Sequence, residues 1–243
     1  MRPLISFVAP SHRTYMWKPF FTSIVTGLEF EVIFVTDVQP KPEEIPDHPN
    51  FHWYFSTVKP GQCFEIAYRK SVGDFVCWTG DDFTYDNFHL DSIYKFWQDK
   101  CREHGNERGM VGFDIFQDGE KCNHMSGQPQ YPFTTTGIIP KKLIEEVGGF
   151  VDPRFCCGIW DCDLMFRILA SGGWYYTDHN SFARERHKEF HAIEANFSTV
   201  HDQEEADLYR IWDFAKLIRH EPVQRFSDEN IMTISQGFKG KWS

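Results

Sequence analysis

Two short runs rich in β-branched and aromatic residues, LISFVA at 4–9 and EVIFVT at 31–36, flank a segment, 14–28, whose apolar positions recur at helical spacing. Strand, helix, strand in that order predicts a parallel pairing, because the crossover returns the second strand in the direction of the first. The alternation continues. A proline-rich loop at 38–50 leads to a third strand, FHWYFST, then residues 62–72 read as a helix and FVCWT at 75–79 as a fourth strand. Asp86 is placed to cap a helix whose buried stripe is Leu90, Ile93, Trp97 and Cys101. Strands follow near 110–116 and 134–139, with a turn at Asp118-Gly119. Pro140 and the Gly148-Gly149 pair bracket another helix. One more runs from about Asp161 to Ser171, before a strand at WYYTD. Residues 182–201 read as a polar, histidine-rich loop, and Asp202 with Glu205 opens a long amphipathic helix that ends before Pro222. The fold class is α/β, a single domain with a mostly parallel central sheet flanked by helices.

Composition narrows the function classes. At 243 residues the chain can bury one sizeable core. Acidic residues outnumber basic ones 35 to 25, a field that repels phosphate backbones, so nucleic acid is not an expected partner. No stretch is long and apolar enough to span a membrane, and MRPLISFVAPSHR lacks the make-up of a secretory signal, so a cytoplasmic location is expected. Seven cysteines, an odd number with no C-x-x-C pair, read as free thiols that fill the core. The triplet Asn196-Phe197-Ser198 matches a glycosylation acceptor, as chance triplets often do.

The fourth strand ends in adjacent carboxylates: FVCWTGDDFTYD. Ligands of parallel sheets bind beyond the carboxyl ends of the strands, where Asp81 and Asp82 stand. Two neighbouring like charges stay ionised most easily with a cation between them, and Mg²⁺ or Mn²⁺ commonly joins one or two carboxylates to the phosphates of a nucleotide. The plain alternative is a solvated turn. A second stretch, EEVGGFVDPRFCCGIWDCDLMFRILASGG at 145–173, opens a helix with Asp161 and Asp163. Arg167, four residues after Asp163, suits a helix-start salt bridge, whereas Asp161 beside Trp160 suits a base that takes a hydroxyl proton.

Taken together, these stretches resemble the GT-A-fold nucleotide-sugar glycosyltransferases, in particular the family 2-like inverting group, over residues 4–190. The resemblance is carried by a strand and the SHR that follows Pro10, by EVIFVTD, by EIAYRKSVGDFVCWTGDD, and by VGGFVDPRF with GIWDCDLMFRILASGG. It implies a Rossmann-like GT-A domain at 1–222, with a nucleotide-binding half at 1–105, an acceptor-binding half at 106–222, and a tail at 223–243. It also implies a UDP-sugar donor, an acceptor hydroxyl on a glycan or other molecule, and a Mn²⁺ or Mg²⁺ cofactor. Residue by residue, Pro10, Ser11 and Arg13 fall at the nucleotide, Asp37 at the base, Arg69 near the uracil or diphosphate, and Asp81 at the ribose or metal. Asp82 falls on the metal, with His187 as a further ligand and His191 in reserve. Asp161 matches the catalytic base. Trp160, Asp163, Thr136 and Tyr131 are expected around the sugars, the aromatic faces suiting carbohydrate C–H surfaces.

The chain departs from the family pattern in three places. Gly80 stands where the first acid of the D-x-D is usual, Trp160 replaces the glutamate before the base, and the turn after the second strand retains only Asp37. Two other classes fit parts of the pattern: a nucleotidyltransferase acting on sugar phosphates, which usually carries a glycine-rich phosphate loop that VAPSHRTYMW lacks, and an inactive sugar-binding relative.

Overall fold

The computed structural model describes residues 2–117, 120–122, 136–155, 157–185, 204 and 208. Among these residues nine strands form one sheet: β1 (Ile5–Ser11), β2 (Phe30–Thr36), β3 (Phe51–Phe55), β4 (Phe75–Trp78), β5 (Phe83–Thr84), β6 (Gly109–Gln117), β7 (Glu120–Cys122), β8 (Gly137–Pro140) and β9 (Trp174–Glu185). The order is β3-β2-β1-β4-β8-β6-β9-β5, with β7 paired to β6. Pairings β1–β2, β2–β3, β1–β4 and β6–β9 are parallel. Pairings β4–β8, β8–β6, β9–β5 and β6–β7 are antiparallel.

Alternation along the strands splits the core into two apolar layers. Val8, Ile33, Val35, Val76 and Trp78 face α2 (Pro60–Lys70), α4 (Lys141–Glu146) and α5 (Trp160–Ala170). Their neighbours Phe7, Ala9, Val32, Phe34, Phe75 and Cys77 face α1 (Trp17–Ser23) and α3 (His89–His104), which supply Trp17, Phe20, Leu90, Ile93 and Trp97.

Three local expectations are corrected. The helix expected over 14–28 is a 3-10 turn, Thr14–Met16, followed by α1, which stops at Ser23. Tertiary hydrogen bonds draw the next residues away: Val25 N donates to the Tyr85 carbonyl at 3.0 Å and Gly27 N to Asp91 at 3.0 Å. Asp86 does not cap α3. Asn87 and Phe88 are both left-handed, at φ 55° and 57°, so Phe88 takes the cap position without a side-chain bond. β9 runs on to Glu185 where a loop was expected from 182. Its register on β6 skips 179–181, with Phe113 opposite Asp178 and Asp114 opposite Phe182, after which it resumes and also pairs β5. The Asp118-Gly119 turn and the helix expected from Asp202 to before Pro222 lie outside the described residues, apart from Glu204 and Leu208.

Direction matters most for function. Since β4–β8 and β8–β6 are both antiparallel, β6 and β9 point the same way as β1, β2 and β4. Their carboxyl ends share one edge of the sheet. Helix α5 returns through Gly172-Gly173 to the start of β9, so its N-terminus stands at that same edge.

Candidate active site

At this edge the end of β1 wraps around the carboxylate that follows β4. Asp81 is 2% exposed, and its Oδ2 accepts Ser11 Oγ at 2.8 Å, Arg13 N at 3.0 Å and His12 N at 3.2 Å. Its Oδ1 accepts Arg13 Nε at 2.8 Å and Arg13 Nη2. The same Nη2 reaches Asp82 Oδ2 at 3.0 Å. One guanidinium nitrogen therefore joins the two adjacent carboxylates, which is how this chain ends a buried strand on a pair of like charges. The Arg13 side chain is only 18% exposed, and its two acidic neighbours hold its proton more tightly than usual even though burial acts the other way.

Asp82 is less fully compensated. Burial, opposed by Arg13 and reinforced by Asp81 and Glu185, pushes its carboxyl up to about 6. Glu185 arrives here through the register Phe83↔Glu185. Gly80 explains the incomplete D-x-D: a Cβ at that position would stand 2.5 Å from Asp82 Oδ1 and 3.0 Å from the Phe83 ring. The carboxylate folds back onto the space a side chain would take.

These geometries test the expected cation. A hard divalent ion needs open carboxylate oxygens, and both oxygens of Asp81 already receive donors from residues 11–13, so Asp81 does not fit as a direct ligand. Asp82 fits, being a buried carboxylate whose charge a cation would relieve. Among the described residues no three His, Cys, Asp or Glu side chains converge on one point. A site built from one or two carboxylates plus substrate phosphates does not require three.

Beside this cluster, His12 Nδ1 meets Asp37 Oδ1 at 2.8 Å at the ends of β1 and β2, with both side chains about half exposed. Cys63, in the first turn of α2, lies close enough for Asp37 to help burial push its thiol up to about 12. Pro10 sits in β1 opposite Val35. Asp161 is partly exposed in the first turn of α5, where its Oδ1 accepts Cys162 N at 2.8 Å. The helix N-terminus favours its ionised form.

Four expected site residues have other employment. Asp163 is wholly buried and accepts Arg167 Nε at 2.8 Å, while Arg167 Nη1 donates to the Gly149 carbonyl at 2.6 Å and Nη2 to that of Phe150 at 3.0 Å. This is the helix-start bridge, used to hold the preceding turn. Trp160 is buried against Phe64 and Phe150, with ring centroids at 4.4 and 4.9 Å. Its faces are spent on the core rather than on a sugar. Thr136 is also wholly buried: its Oγ1 donates to the Trp78 carbonyl at 2.7 Å and lies 2.7 Å from the Tyr85 hydroxyl. Arg69 is one residue from the C-terminal end of α2, which descends from the end of β3 to the start of β4. It stands toward the opposite edge from Asp81, where Glu65 Oε1 accepts its Nε at 2.8 Å. Tyr131, His187 and His191 lie outside the described residues.

Two contributors escape a linear reading. Glu185 belongs to a segment that looks like loop, and the His12–Asp37 pair joins residues 25 positions apart. Only pairing of β1 with β2 and of β5 with β9 brings them to the site.

No protein-family model matches the chain, and no curated protein matches it in sequence. Solved structures do match in shape. S. aureus TarS 1-349 in complex with UDP-GlcNAc superposes with a TM-score of 0.59 at 13% identity, covering 80% of this chain and 61% of TarS 1-349. A longer S. aureus TarS structure gives 0.57 at 13%, covering 76% of this chain and 37% of that one. The complex with UDP gives 0.52 at 12%, over 76% and 60%. The chain thus spans between about two-fifths and three-fifths of the TarS structures it matches. At this identity the likeness establishes the fold, which is GT-A.

Proposed function

We propose that this chain is a glycosyltransferase that moves a sugar from a nucleotide-sugar donor, a UDP-sugar, to an acceptor hydroxyl with inversion. The observation that carries this reading is the single edge of a GT-A sheet on which Arg13, Asp37, Asp81 and Asp82 follow the ends of β1, β2 and β4 and Asp161 stands in the first turn of α5. TarS structures of the same fold contain UDP-GlcNAc or UDP, which supports the donor class.

In this reading Asp37 and His12 meet the base, while Ser11, Arg13 and Asp81 fix the shape of the loop beneath the ribose and diphosphate. Asp161 takes the acceptor's proton as the hydroxyl attacks the anomeric carbon from the face opposite the leaving group. A helix N-terminus favours negative charge, which is the form a base needs. A Mn²⁺ or Mg²⁺ ion, when bound, would supply charge neutralisation for the departing diphosphate, with Asp82 as its protein ligand and His187 as the further candidate.

Incubating the protein with UDP-, GDP- and dTDP-sugars plus Mn²⁺ and following donor hydrolysis tests the reading. Free sugar and UDP above the blank rate are expected. Pyrophosphate release from an NTP and a sugar phosphate would instead mark a nucleotidyltransferase, and tight binding without turnover a sugar-binding relative. Asp161→Asn is expected to cut turnover by about 10²- to 10⁴-fold, the usual worth of a positioned base, with UDP affinity within twofold of wild type by calorimetry. NMR of the product anomer reads the stereochemistry.

A further inference from the structure

Glu204 is 2% exposed, and its carboxylate accepts from two consecutive backbone amides. Oε1 accepts Cys157 N at 3.0 Å, and Oε2 accepts Gly158 N at 3.0 Å and Cys157 N at 3.3 Å. These amides lie three and four residues ahead of Asp161. Ile159 then takes the cap position of α5 without any side-chain bond, so the entrance of the helix is fastened from a remote part of the chain. Leu208, four residues after Glu204 and also 2% exposed, belongs to the apolar layer that contains Phe150, Trp160 and Leu164. Glu204 thus reaches the backbone that leads into α5, and Leu208 shares an apolar layer with Trp160 and Leu164 of that helix. Charge-assisted bonds to amides are about twice as strong as neutral ones, and a buried carboxylate holding two of them fixes that backbone firmly.

We infer that Glu204 is a positioning residue for Asp161, holding the Cys157-Gly158 backbone so that the first turn of α5 presents its carboxylate at a fixed point of the edge. The inference rests on the proposed role of Asp161 as base. A base displaced by a fraction of an ångström loses rate while the donor still binds, because the residues proposed for the nucleotide follow β1, β2 and β4 rather than α5.

Glu204→Gln keeps the side chain's size but loses its charge and one acceptor. It is expected to lower kcat at least tenfold with donor KM and UDP affinity within twofold, and Glu204→Asp is expected to fall between it and wild type. In an Asp161→Asn background, Glu204→Gln should cause no further loss, since a group that acts only through the base is silent once the base is gone. An equal further loss in that background overturns the inference, as does unchanged kcat in the single variant. If Asp161→Asn itself leaves turnover intact, the base assignment falls and this inference with it. Should the variants fail to fold, hydrogen exchange on the wild-type chain decides: protected Cys157 and Gly158 amides support the clamp, and exchange at free-loop rates overturns it.

Discussion

Arg13 sets the energetics of the site at the scale of single residues. Its Nη2 is shared by Asp81 and Asp82, both nearly inaccessible to water, so removing it takes their common counter-charge away. Arg13→Met is expected to cost about 3 kcal/mol in urea unfolding at pH 7, within the range for breaking a buried ion pair, and markedly less at pH 4. Asp82 carries the opposite sign. Its carboxyl, pushed up to about 6 chiefly by burial, binds its proton more tightly in the folded state than at the ordinary value near 4 of the unfolded chain. The stability this contributes is fully present below about pH 4 and is lost as pH rises through 6. Asp82→Asn should therefore raise stability on the order of 2 kcal/mol at pH 8, do nothing at pH 4, and flatten thermal melts between them. The same substitution is expected to remove any effect of Mn²⁺ on UDP affinity. The adjacent carboxylates were legible in the sequence; that a single guanidinium just past β1 joins them was not, because Arg13 and Asp81 are 68 positions apart.

At the scale of elements, periodicity found the strands and most helices because burial of alternate or every third and fourth residue writes itself into the chain. It missed what neighbouring elements impose. The end of α1 is set by Tyr85 and Asp91, the start of α3 by two left-handed residues, and the length of β9 by the partners β6 and β5. The turn between β4 and β5 shows the same dependence. Gly80→Asp, which restores the usual D-x-D spelling, is expected to lower stability and UDP affinity rather than improve metal binding, because the new Cβ collides with Asp82 Oδ1. Calorimetry with Mn²⁺ and UDP reads this directly. The Asp163–Arg167 bridge, by contrast, ties α5 to the turn at Gly149, whose φ of 112° demands glycine. Asp163→Asn should lose about 3 kcal/mol of stability and leave the UDP affinity of the folded protein unchanged.

For the whole molecule, the decisive property is the shared direction of β1, β2, β4, β6 and β9, which gathers strand ends and the start of α5 on one edge. It also sends Arg69 toward the other edge, so Arg69→Ala is expected to leave UDP affinity within twofold, measured by calorimetry beside Asp37→Ala as the variant that weakens it. The amino-acid order by itself determined the α/β class, the parallel opening, the acidic edge after β4 and the candidate base at α5, since each is a matter of local pattern and spacing. Only the tertiary structure decided which of the expected site residues packing claims. Asp163, Trp160 and Thr136 have the right identities and intervals for a sugar site, yet packing spends them on a turn, a core and a buried hydroxyl network. Whether a side chain is free or committed depends on partners far away in the chain, and a local pattern contains no record of them.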